Sequence, residues 1–188
     1  MNSIYLLPLI EVEKELTEAL VRPLQKAFHA EIAGMNAAVD MQSFYDEQRH
    51  QYNSTEILRY MREHFSNNHL LSPKLSHSKA YLAIAAQDLF IPILTYVFGE
   101  AELDGDIAVV SYYRLQNERY GLPPDRTLLV ERLQKEAIHE LGHAFGLVHC
   151  QTQACVMHTS TYVEDIDLKG IPFCDICLKI LQRSKGRT

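Results

Sequence analysis

Hydrophobic positions along this chain change period several times, and each change marks an element. Ile4 to Leu9 is a short apolar run, expected as a first strand. Val12, Leu16, Ala19, Leu20, Leu24, Ala27 and Phe28 then recur at helical spacing, with Pro23 expected to kink or locally break that helix. From Ala33 to Met41 the pattern becomes strict alternation, the period of a half-buried strand, and "YDEQRHQY" after it reads as loop. Asn53 and Glu56 fit a capping box opening a second helix with the stripe Ile57, Leu58, Met61 and Phe65, ended by "NNHLLSP". Tyr81 to Ala86 is continuously apolar, as a strand covered on both faces is, and belongs in the middle of a sheet. "LTYVFGEAEL" and "IAVVSYY" flank Asp104-Gly105, the dipeptide of a tight type I′ hairpin, so these two strands are expected to pair antiparallel. Pro123 and Pro124 keep "RLQNERYGLPPDRT" a loop, and Asp125 or Thr127 is expected to cap the longest helix, "LLVERLQKEAIHELGHAFGL". Two helices and five strands thus precede the long helix, in the alternating order of a layered α/β arrangement. Beyond Cys150 the periodicity fades and a coil-rich tail is expected.

Composition narrows the class. A length of 188 residues fits a single domain that buries roughly two thirds of its unfolded surface. With 47% apolar and 22% charged residues, disordered and fibrous classes are excluded. A formal charge of −6 gives no footprint for nucleic acid, and the Arg183, Lys185 and Arg187 tail is read as a solvated terminus. No Lys or Arg precedes "SIYLLPLI" and "EVEKE" follows it, so it reads as a strand rather than a signal-peptide core. No run approaches the roughly 20 apolar residues of a membrane span. A cytoplasmic protein is expected. In a reducing compartment, the clustering of Cys150, Cys155, Cys174 and Cys177 near the end of the chain favours a metal over disulfides.

The long helix carries the chemistry. His139 and His143 are one turn apart, so both imidazoles leave one face toward a single point, and Glu140 lies close enough to address a water there. Gly146 and His149 extend this to HExxHxxGxxH. A glycine after the helix permits the left-handed turn that swings a third histidine back. Three imidazoles leave a tetrahedral zinc one open position, as catalytic zinc sites do, whereas a structural zinc has no use for Glu140. The expected reaction is peptide hydrolysis by Glu140-assisted attack of a zinc-bound water.

Cys150 directly follows His149, and adjacent side chains leave the backbone in different directions. The spacing therefore separates a catalytic zinc at His139, His143 and His149 from a closed structural zinc at Cys150, Cys155, Cys174 and Cys177, two zincs per chain. In this order of motifs, with Met157 between the cysteine pairs and "DLF", "VFGEAEL" and "VVSYYRL" upstream, the sequence closely resembles the archaemetzincins, a branch of the metzincin zinc peptidases. The resemblance covers nearly the whole chain. It implies an α/β (α+β) fold: an N-terminal subdomain (1–146) with a five-stranded twisted mixed sheet, helices and the active-site helix, then a small zinc-stabilised C-terminal subdomain (147–188). It also implies that Met157 forms the Met-turn beneath the histidines.

Other candidates are set aside. His29, His50, His64, His69 and His77 show no metal spacing, His158 and Tyr162 read as loop residues, and Glu136 reads as a solvated helix charge. Asp165 and Asp167 are possible orienting partners of a ligand histidine. Two functions remain open: a zinc peptidase acting on a peptide or protein laid along the "TYVFGEAEL" edge, or a zinc-stabilised binding protein that cleaves nothing. A zinc-ribbon nucleic-acid module is disfavoured by the acidic charge. Substrate and oligomeric state are not encoded in any motif.

Overall fold

The computed structural model describes residues 2–65 and 79–185. Five strands, β1 (Asn2–Pro8), β2 (Ala30–Gly34), β5 (Lys79–Ala85), β7 (Gly99–Ala101) and β8 (Ile107–Ser111), form one sheet in the order β2-β1-β5-β8-β7. The first four run parallel; β7, at the edge, runs antiparallel to β8. This is the mixed five-stranded sheet expected. β5 is central, and its continuous apolar run is explained by burial on both faces. Leu82 and Ile84 join a core with α1 (Lys14–Phe28) and α3 (Arg126–Ala144), while Ala83 and Ala85 face α2 (Ser54–Phe65). Three short strands, β3 (Tyr45–Asp46), β4 (Gln51–Asn53) and β6 (Leu89–Phe90), make a second sheet, the first two of them where loop was expected. There Asp46 Oδ1 accepts the Gln48 and Arg49 N–H groups and turns the chain back on itself.

Several local expectations are corrected. α1 runs through Pro23 without a break. A proline at 23 cannot donate to the carbonyl of Ala19, and Gln134 of α3 does so instead, its Nε2 at 3.1 Å. The Ala33 to Met41 strand is only its first two residues: the Met35 N–H still bonds the Leu6 carbonyl at 2.8 Å, but β1 ends at Pro8. Met35, Ala37 and Val39 nonetheless pack on the core, so the alternation recorded burial without pairing. β7 covers three residues of the longer run expected. Its turn is not type I′, because Asp104 (φ 56) takes a positive φ and Gly105 does not.

Asn53 Oδ1 accepts the Thr55 N–H, as a cap does, and the stretch expected to end α2 lies outside the described residues. Asp125, rather than Thr127, caps α3 through the Leu128 N–H at 2.9 Å. The tail after Cys150 holds α4 (Val163–Leu168) and α5 (Asp175–Lys185). Their apolar stripes are faint because little is buried: α5 sinks Cys177 and Leu181 and leaves Ile176, Leu178 and Ile180 exposed. Among the described residues no helix is long and apolar enough to cross a membrane.

Candidate metal centres

α3 ends in a way that builds the first cluster. The Leu147 N–H bonds the Gly142 carbonyl and the Gly146 N–H bonds the His143 carbonyl, both at 2.9 Å, which closes the helix in a Schellman motif around Gly146 (φ 87). A Cβ at position 146 would also lie 2.9 Å from Asp104 Oδ1, in the β7–β8 turn. The chain then doubles back and brings His149 beside His139 and His143. Ligand nitrogens of the three all lie within 4.8 Å of one another, with the two Nε2 atoms of His139 and His143 at 3.1 Å.

Each helix-borne ring is held through its other nitrogen. His139 Nδ1 donates to the Val156 carbonyl at 2.8 Å, and His143 Nδ1 to the Leu147 carbonyl at 2.7 Å. Those bonds put the protons on Nδ1 and turn the bare Nε2 atoms inward. Burial, with Lys169 adding to it, holds His139 well below the usual histidine range; burial also lowers His143 and His149. The rings are therefore neutral, as metal ligands must be. Neutral imidazoles converging on bare nitrogens fit a zinc ion. Met157 is fully buried, its side chain against Gly142, where a Cβ would collide with it.

Glu140, buried on the same helix, packs against Gly99 of β7. A Cβ at Gly99 of β7 would lie 2.6 Å from Glu140 Cγ, so the absence of a side chain there is what admits the carboxylate. Burial first, and Glu136 second, push the Glu140 carboxyl well above the ordinary carboxylate range, with Lys169 opposing. A cation among the histidines acts in the same direction as Lys169.

Glu136 is not a solvated charge. It is buried on α3 with its Oε1 2.7 Å from the equally buried Lys169 Nζ, a contact of charges rather than an aligned hydrogen bond. Lys169 also stands 3.5 Å from His139 Nδ1. Sequence reasoning names Glu136 but reads it as solvated, and does not single out Gly99 or Lys169. Only Gly99 carried a signal, as a glycine inside a strand pattern. Asp165 accepts the Thr161 and Tyr162 N–H groups at the start of α4, and Asp167 pairs with Arg132, so neither orients a histidine. Tyr162 is largely exposed. His29 ends α1 in a left-handed conformation, and His69 and His77 lie outside the described residues.

The four cysteines form the second cluster, all unpaired by disulfide, with their sulfurs within 4.8 Å of one another. Cys150 and Cys174 are 3.7 Å apart and Cys155 and Cys177 3.8 Å. A tetrahedron with zinc–sulfur bonds of about 2.3 Å has edges of about 3.8 Å. The fit is close. The Cys177 N–H is the main influence holding Cys174 down at about 6, while burial raises Cys155 and Cys177. His149 and Cys150, adjacent in sequence, go to different clusters.

Comparison with known proteins places the whole chain. The profile described as Peptidase family M54 matches residues 15–183. The archaemetzincin of Pyrococcus abyssi is 34% identical over 197 aligned positions, covering 100% of this chain and 98% of that one. The crystal structure of the Archaeoglobus fulgidus archaemetzincin complexed with malonate superposes with a TM-score of 0.76 at 37% identity, covering 95% of this chain and 99% of that one. That of the Methanopyrus kandleri archaemetzincin gives 0.78 at 29% identity, covering 97% and 94%.

Proposed function

Since the chain belongs to peptidase family M54, the archaemetzincins, and is accordingly a zinc metallopeptidase acting on a peptide or protein, we propose how its own residues divide the work. His139, His143 and His149 would hold the catalytic zinc, and Cys150, Cys155, Cys174 and Cys177 a structural one, two per chain. Bound at the histidines, zinc supplies Lewis acidity, lowering the pKa of water to about 7 and polarising a carbonyl oxygen. Glu140 takes the proton of the attacking water and passes it to the leaving amine. Burial raises its proton affinity, while Lys169 and a cation at the histidines act against that rise. The edge of β7 away from β8, open among the described residues and beside Glu140, offers main-chain groups along which the substrate would lie antiparallel. Residues 1–146 form the subdomain bearing the sheet and the active-site helix, and 147–188 the one bearing Met157 and the cysteines.

The observation that carries this reading is the convergence of three imidazoles on one point, with the buried carboxylate of Glu140 on the same helix outside that cluster. To test it, zinc-loaded protein and its Glu140→Gln variant are incubated with a diverse peptide mixture and read by mass spectrometry. Cleavage by the first, absent in the second at equal zinc content, is the expected result. Equal cleavage by both removes Glu140 from the mechanism, and cleavage by neither leaves a zinc-stabilised binding protein.

A further inference from the structure

His149 differs from its two partners. The rings of His139 and His143 are each anchored by a backbone carbonyl, whereas among the described residues the ring of His149 has no such anchor, and it is exposed on a segment outside any helix or strand. Its placement depends on the backbone at Cys150. That residue is gripped on both sides: the Cys150 N–H donates to the Met157 carbonyl at 2.9 Å, and His158 Nδ1 lies 2.9 Å from the Cys150 carbonyl. A carbonyl can only accept, so Nδ1 carries the hydrogen. The His158 carbonyl is in turn 3.4 Å from Lys169 Nζ, which meets Glu136 on α3, the helix of His139 and His143.

We propose that His158 is a positioning residue for the third metal ligand: its ring bond to the Cys150 carbonyl fixes His149 in place of the anchor that ring lacks. Because Cys150 also delivers its sulfur to the cysteine cluster, the same bond ties the two metal centres together. The proposal rests on the reading that the histidine trio holds zinc.

Zinc affinity at the trio is measured by chelator competition in the wild type, His158→Phe and His158→Asn, with the cysteine-bound metal monitored in parallel. Phenylalanine keeps the ring without the donor, and the asparagine amide places an N–H near the position of Nδ1. His158→Phe is expected to weaken the trio roughly 3- to 10-fold, the effect of one lost hydrogen bond, while the cysteine site stays full and His158→Asn recovers most of the loss. Unchanged affinity in His158→Phe, or equal loss in both variants, overturns the proposal. A measurement on unaltered protein does not depend on either variant folding. In the zinc-loaded chain the His158 Nδ1 proton is expected to be visible by NMR and protected from exchange, and a freely exchanging proton overturns the proposal. If His143→Ala leaves the zinc content of the chain unchanged, the metal reading itself fails and this proposal with it.

Discussion

A methyl group at Gly99 would meet Glu140 Cγ at 2.6 Å and the Val109 carbonyl at 2.7 Å, and the backbone oxygen cannot give way as a side chain can. Gly99→Ala is therefore expected to displace Glu140 and lower kcat on the order of 10²-fold while zinc content, read by elemental analysis, is unchanged. A second residue-scale effect depends on pH. Hydrogen bonds from the Tyr162 and Thr161 N–H groups lower the Asp165 carboxyl below its usual value. A depressed carboxylate stabilises the fold fully above its unfolded pKa, about 3.9, and that contribution is lost as pH falls through the lower folded value. Asp165→Ala should thus cost about 1 kcal/mol in urea unfolding at pH 7, with the gap from wild type closing below about pH 3.9. A gap that is constant down to pH 3 would exclude the ionised cap as its source. The histidine and cysteine clusters were legible in the sequence because side chains that converge on one point recur at spacings that a helix or tight turn can bring together. Glu136 and Lys169 lie thirty-three positions apart, and no local period reveals that both are buried against each other.

α1 and α3 show how one element repairs another. Pro23 leaves the Ala19 carbonyl without its helical donor, and Gln134 supplies one. Gln134→Ala is expected to cost about 1–3 kcal/mol, since it strands a half-buried acceptor. In the Pro23→Ala background the backbone N–H returns and the same change should cost less. Equal costs in the two backgrounds, measured by denaturant unfolding, would remove the repair. Elements with strong periods, β1, β5, β8, α1, α2 and α3, could be read from the chain because burial on one or both faces imposes the pattern. β2 was overdrawn because packing and pairing leave the same alternation, and only the length of its neighbour β1 decides where pairing stops. α4 and α5 escaped notice because helices that bury two residues each leave almost no stripe.

At the scale of the whole molecule, the C-terminal segment is tied to α3 by charge as well as by apolar contact: Arg132 pairs with Asp167, Lys135 reaches the Ile166 carbonyl, and Lys169 meets Glu136. The cysteine cluster closes that segment. Protein purified under reducing conditions is expected to hold two zincs, and Cys174→Ser should increase proteolysis between Cys150 and Cys177 far more than His143→Ala does, because a closed thiolate site contributes directly to folding. A single zinc with oxidised cysteines would mean a stapled loop instead. The free edge of β7 has another consequence. A strand edge that is open among the described residues can accept the edge of a second copy, the first step toward aggregation. β7 is three residues long, ends in a turn at Asp104, and carries Glu100 within it and Glu102 just beyond. So short a margin forms few main-chain bonds with any visitor, and its two carboxylates are already engaged by Ser54, Thr55 and Arg62 of α2. The brevity that disfavours polymerisation through this edge also limits how tightly it could grip a substrate by backbone alone.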